Sequence, residues 1–138
     1  MILVDSNVLV AIISRTDDKH ATATQWIEDS TDVLLVPPTV IAEVCYLIGA
    51  RNGDRRAEAE FLRSFEDEDG LRLAELLPDD LRRTAELVEQ YADMGLGATD
   101  ASVIAIAERL GIERVATFDR RHFPAVVPSH VNGSTLLP

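Results

Sequence analysis

A single rhythm constrains this chain more than any other feature: short apolar runs alternate with longer stretches of helical periodicity along all 138 residues. The runs at 2–4, 33–36, 71–75, 114–118 and 135–137 have the length and composition of strands. Between them, 7–14, 19–29, 39–51, 54–66, 79–91 and 98–110 place apolar side chains at helical spacing. Short strands separated by helical stretches form βα units wound around a mostly parallel sheet, which makes the expected class α/β. Pro37-Pro38 opens the third helix, Gly53-Asp54 separates it from the fourth, Pro78 starts the fifth and Gly111 ends the sixth. These are turns rather than linkers, so one domain over 1–138 is expected. The acidic run at 66–70 reads as a solvated turn.

The composition narrows the function. A hydrophobic content of 46% in 138 residues supplies one core. The 24 acidic residues against 13 basic ones leave a net charge of −11, which excludes a protein that grips nucleic acid by a uniformly positive surface. Cys45 is the only cysteine, so neither an internal disulfide nor a thiolate zinc site can form. The opening apolar run stops at Asp5, too short for a signal peptide or a membrane span, and a cytoplasmic protein is expected.

Four carboxylates stand where a core would not choose them. Asp5 follows the first apolar run and Asp119 follows Val115-Ala116-Thr117-Phe118, so both belong at the carboxyl edge of the sheet, where loops diverge and ligands bind. Either alone could simply cap the turn that follows. Glu43 interrupts the apolar run from Val40 to Ile48, on the face shared by Val40 and Leu47. An unpaired charge there demands a cation or a strong hydrogen-bond partner. Asp100 lies on the same side of its helix as Val103, Ile104 and Ala107, although its first-turn position also suits the helix dipole. Together the four can converge on one point. Four like charges in one pocket need a counter-ion, and all-oxygen ligands suit Mg2+ or Mn2+ better than zinc or copper. His20, His122 and His130 lack the spacing of a metal helix and read as surface or loop residues.

With these residues in place, the chain resembles a PIN-domain ribonuclease along nearly its whole length. The matching segments are Leu3-Val4-Asp5-Ser6-Asn7, Ile41-Ala42-Glu43-Val44, Gly97-Ala98-Thr99-Asp100-Ala101-Ser102 and Ala116-Thr117-Phe118-Asp119-Arg120-Arg121-His122-Phe123. In that order and in so short a chain, they are most similar to the VapC-type toxins of bacterial VapBC toxin–antitoxin pairs. The resemblance implies a three-layer α/β/α domain with a central five-stranded, mostly parallel sheet. It further implies a catalytic and metal-holding quartet at Asp5, Glu43, Asp100 and Asp119, and Mg2+- or Mn2+-dependent hydrolysis of RNA. Ser6, Asn7 and Thr117 fall beside that site. A cognate VapB-type antitoxin, a homodimer and a toxin–antitoxin hetero-oligomer are expected on the same ground.

An acidic protein that binds RNA needs a local rim of arginines, for which Arg120 and Arg121 are the first candidates; Arg51, Arg55, Arg56, Arg82 and Arg83 are further ones. Other phosphotransfer families also begin with a strand ending in aspartate, but their patterns do not fit. A haloacid-dehalogenase-like phosphatase needs a second aspartate where Asn7 stands, and a receiver domain needs a late lysine that Lys19 cannot supply. The alternative of another class is a catalytically silent PIN domain that binds RNA or acts as a scaffold.

Overall fold

The computed structural model describes residues 1–66 and 70–138; of the acidic turn at 66–70, residues 67–69 lie outside the described residues. The chain runs β1 (Ile2–Val4), α1 (Ser6–Ile13), α2 (His20–Asp29), β2 (Leu34–Val36), α3 (Pro38–Cys45), a π-helical turn (Tyr46–Arg51), α4 (Arg55–Arg63), β3 (Arg72–Leu73), α5 (Pro78–Gln90), a 3-10 turn (Ala92–Met94), α6 (Ala98–Leu110), β4 (Arg114–Ala116) and β5 (Thr135–Leu137). All five strands are parallel, in the order β3-β2-β1-β4-β5.

That order decides where a site can form. From β1 the connections move outward through β2 to β3; the next crossover returns across the sheet to β4 and continues to β5. Right-handed crossovers running in opposite directions put α1–α4 on one face and α5–α6 on the other. Between β1 and β4 the connections part, which opens a crevice at the carboxyl ends of those two strands. Both strands are buried along their apolar length, Ile2, Leu3 and Val4 against Val115 and Ala116, with Leu3 level with Val115 and Val4 with Ala116.

Several expected boundaries shift. The strand expected at 114–118 ends at Ala116, so Thr117, Phe118 and Asp119 form a turn beyond it, although the Thr117 N–H still donates to the Leu137 carbonyl of β5 at 2.7 Å. The strand expected at 71–75 shrinks to Arg72–Leu73, an exposed edge. The helix expected at 39–51 is α-helical only as far as Cys45 and then widens into the π-turn. Gly49 in that turn lies under the carboxylate end of Glu58 from α4, where a Cβ would displace that side chain.

The helix α6 follows its expected bounds, with Gly111 closing it at φ +64°. Its residues from Ala101 to Ala107 are buried on every side rather than along one stripe, because it packs on both α5 and α3. Two ion pairs latch it to α5. Arg109 Nε donates to both oxygens of the buried Asp80 at 2.8 and 3.0 Å, and Arg83 grips Glu108 at 2.7 and 3.0 Å. Asp80 in turn accepts from the Leu77 N–H at the start of α5. No helix among the described residues is long and apolar enough to cross a membrane.

Candidate active site

Asp5 leaves β1 in an extended conformation and caps α1, where its Oδ1 accepts the Ser6 N–H at 2.7 Å. It is 1% exposed. Its Oδ2 accepts from Asn7 Nδ2 and from Thr117 Oγ1, both at 2.8 Å. Thr117 Oγ1 accepts in turn from Asn7 Nδ2 and from the Asp119 N–H, each at 3.0 Å, while Asn7 Oδ1 accepts the Phe118 N–H at 2.9 Å. Asn7 and Thr117 thereby clasp the end of β1 to the turn after β4, with the Asp5 carboxylate held between them.

The other three carboxylates arrive on different elements. Glu43 projects half-buried from α3 and accepts the Ser6 hydroxyl at 2.5 Å, so Ser6 ties it to the Asp5 segment. Asp100 sits in the first turn of α6. Asp119 uses Oδ1 to accept the N–H groups of Arg121 and His122 at 2.6 and 3.0 Å, and its Oδ2 faces His122 Nδ1 at 2.7 Å. That same His122 nitrogen is 3.6 Å from Asp100 Oδ2. One ligand atom from each of Asp100, Asp119 and His122 lies within 4.8 Å of the others.

The electrostatics follow from this packing. Burial lifts the Asp5 carboxyl to about 6, against the hydrogen bonds from Thr117 and Ser6 and with help from the nearby charges of Glu43 and Asp119. For Asp100, burial and then the charges of Asp5 and Asp119 lift the carboxyl to about 7, with partial relief from His122. Among the described residues the Asp100 side chain accepts no hydrogen bond, which leaves it the least satisfied of the set. Burial also opposes the charge on Asp119, but the N–H groups of His122 and Arg121 outweigh it and hold this carboxyl below its ordinary range. The hydrogen bond to Asp119 raises His122 in return, against the effect of burial.

Among the described residues no arginine or lysine ion-pairs with any of the four carboxylates. A protein-internal counter-ion is therefore missing, apart from the His122 ring. The donor set is oxygen-rich, half-buried and short of positive charge, which fits a hard divalent cation. An open cleft of about 1010 Å3 at the far end of α1, lined among others by Ile12, His20 and Phe61, contains none of these carboxylates. Chemistry, not volume, marks the site.

His122 lies in a loop, as expected, and its ring packs against Asp119 and Asp100. Its spacing of three from Asp119 is the available signal, but the same spacing describes any aspartate-capped turn. Arg120 and Arg121 are exposed; Arg120 donates to the Pro138 carbonyl at 2.9 Å and Arg121 to the Met94 carbonyl at 3.4 Å. By contrast Arg55, Arg56 and Arg82 pair with carboxylates on their own helices, and Arg83 with Glu108 and Glu86.

Comparison with known proteins bears on the family and the fold. Residues 2–127 match the PIN domain. The chain is 32% identical over 136 residues to ribonuclease VapC26 of Mycobacterium tuberculosis, covering 99% of each. In fold it is similar to VapC20 of the same organism, described as a sarcin–ricin loop-cleaving toxin, with a TM-score of 0.83 and 22% identity over 96% of this chain and 99% of that one. It is also similar in fold to a chain of VapBC2 from Rickettsia felis, solved on a DNA fragment from their promoter, with a TM-score of 0.69 and 14% identity over 99% and 97%.

Proposed function

Since the chain belongs to the PIN-domain family, among its VapC-type ribonucleases, we propose that Asp5, Glu43, Asp100 and Asp119 form the centre with which it hydrolyses RNA phosphodiester bonds. One observation carries the assignment: carboxylates from separate elements stand together with no basic side chain but His122 among the described residues around them, and burial raises Asp5 and Asp100 above the ordinary carboxylate range. Asp5, Glu43 and Asp100 would hold Mg2+ or Mn2+ directly. Asp119, held by the N–H groups of Arg121 and His122, would complete the site directly or through water. Such a cation, when bound, lowers the pKa of attacking water and neutralises charge on the phosphate.

The remaining residues position this set. Ser6 aims Glu43, and Asn7 with Thr117 aims Asp5. Arg120 and Arg121 offer positive charge at the same turn, bonded only to backbone carbonyls, and supply the phosphate rim. The description of the VapC20 neighbour makes a ribosomal loop of the sarcin–ricin kind the first substrate to try. A cognate VapB-type antitoxin, and with it a toxin–antitoxin hetero-oligomer, is supported by the Rickettsia felis pair; a homodimer rests on the family resemblance alone. Purification from the native operon tests the partner; recovery of the free chain alone would count against it.

The deciding experiment compares wild type with Asp100→Asn on total RNA and on a sarcin–ricin oligonucleotide, in Mg2+, Mn2+ and EDTA. Discrete metal-dependent cuts that disappear in the variant are expected. Folded, antitoxin-free wild type that binds RNA but never cuts it would turn the reading to a catalytically silent binding module.

A further inference from the structure

The helices that carry Glu43 and Asp100 meet through a contact that none of the site residues makes. Thr39 Oγ1, in the first turn of α3, lies 2.6 Å from Ser102 Oγ on α6. Ser102 is 0% exposed, and its hydroxyl donates to the Thr99 carbonyl at 2.7 Å. A serine has one proton to give, so Thr39 is the donor in the contact between the helices. The chain of bonds therefore runs from α3 through Ser102 to the carbonyl of Thr99, the group directly bonded to the Asp100 nitrogen. At the other end, Thr39 precedes Glu43 by four residues, one helical turn on the same face.

Packing alone does not ask for these hydroxyls. The neighbours of Ser102 along α6 are Ala101, Val103 and Ala105, all buried, and an alanine would fit the same helix without a polar atom to satisfy. A serine bonded back to its own helix would also be complete without Thr39. The added bond is directional and fixes both the separation of the two helices and their rotation at the turns that bear the carboxylates.

We propose that Thr39 and Ser102 are a positioning pair: their hydrogen bond locks α3 to α6 and so sets the Glu43 carboxylate against that of Asp100 for metal binding. The proposal rests on the ribonuclease reading above for its purpose, but its structural half stands apart from it. Neither residue touches metal or RNA; both act through the carboxylates.

Thr39→Val keeps the shape and removes the donor, Ser102→Ala removes the acceptor, and Thr39→Ser keeps the hydroxyl. Binding of Mn2+ is followed by electron paramagnetic resonance, thermal stability in EDTA, and the separation of Glu43 from Asp100 in crystal structures of the metal-free proteins. Thr39→Val and Ser102→Ala should each weaken Mn2+ by about 10-fold, the range for partners that orient metal ligands. The double variant should be no weaker than either single one, Thr39→Ser should bind as wild type, and Glu43 should stand displaced from Asp100 in Thr39→Val. Unchanged Mn2+ affinity in Thr39→Val, even with lowered stability, or an unchanged Glu43–Asp100 separation would overturn the pair. Wild type that neither takes up Mn2+ nor cuts RNA would instead overturn the ribonuclease reading, and the metal-free structures would still decide the pair.

Discussion

At the scale of single residues, Asp5 and Asp100 show how a site can be built against stability. Each carboxyl titrates higher in the folded protein than in the unfolded chain, at about 6 and about 7 against 3.8. Between those values the native state holds protons that the unfolded chain has already released, so stability falls as pH rises from about 4 to 7. For Asp5 alone the loss by pH 8 is on the order of 3 kcal/mol. Asp119 runs the other way: held below its ordinary range, it stabilises the fold above about pH 4 and ceases to do so as acid protonates it. In EDTA the melting temperature should therefore fall between pH 5 and pH 8, Mn2+ should raise it more at pH 8, and Asp100→Asn should flatten the fall. A flat or rising profile for the metal-free wild type would show that these charges are not crowded. The crowding itself was legible in the sequence, since Glu43 and Asp100 stand on faces that otherwise bury apolar side chains. The place of His122 was not, because nothing within the turn distinguishes a ring that reaches a carboxylate from one that reaches solvent.

At the scale of elements, what could be read depended on whether local chemistry or tertiary contact sets the boundary. β1 and α6 match expectation from end to end, because Asp5 and Gly111 impose their limits locally. β3 is shorter than expected because an exposed edge strand has one neighbour to pair with. The π-turn after Cys45 packs against α4, a contact invisible in the run 39–51. Placement of α6 depends likewise on α5. Asp80 is 2% exposed and its partner Arg109 half-buried, so Asp80→Ala leaves a half-buried guanidinium and the Leu77 N–H without their carboxylate and should destabilise the fold by about 3 kcal/mol. Chemical denaturation would measure this; a change under 1 kcal/mol would mean that helix packing, not the ion pair, seats α6.

For the whole molecule, a net charge of −11 and a polyanionic substrate are compatible only if attraction is local. Ion pairing engages Arg55, Arg56, Arg82 and Arg83, which leaves Arg51 and, in the turn of Asp119 itself, Arg120 and Arg121. Reversing both to glutamate should weaken RNA binding and lower the slope of log affinity against log salt by about 2, whereas an unchanged slope would place the phosphate contacts elsewhere. The strand order has a further consequence. The four carboxylates sit at positions 5, 43, 100 and 119, and β4, which leads into the turn bearing Asp119, inserts beside β1 only after nearly the whole chain exists. Until residues 114–119 join the sheet, the pocket therefore lacks both Asp119 and the Thr117 clasp that holds the Asp5 carboxylate.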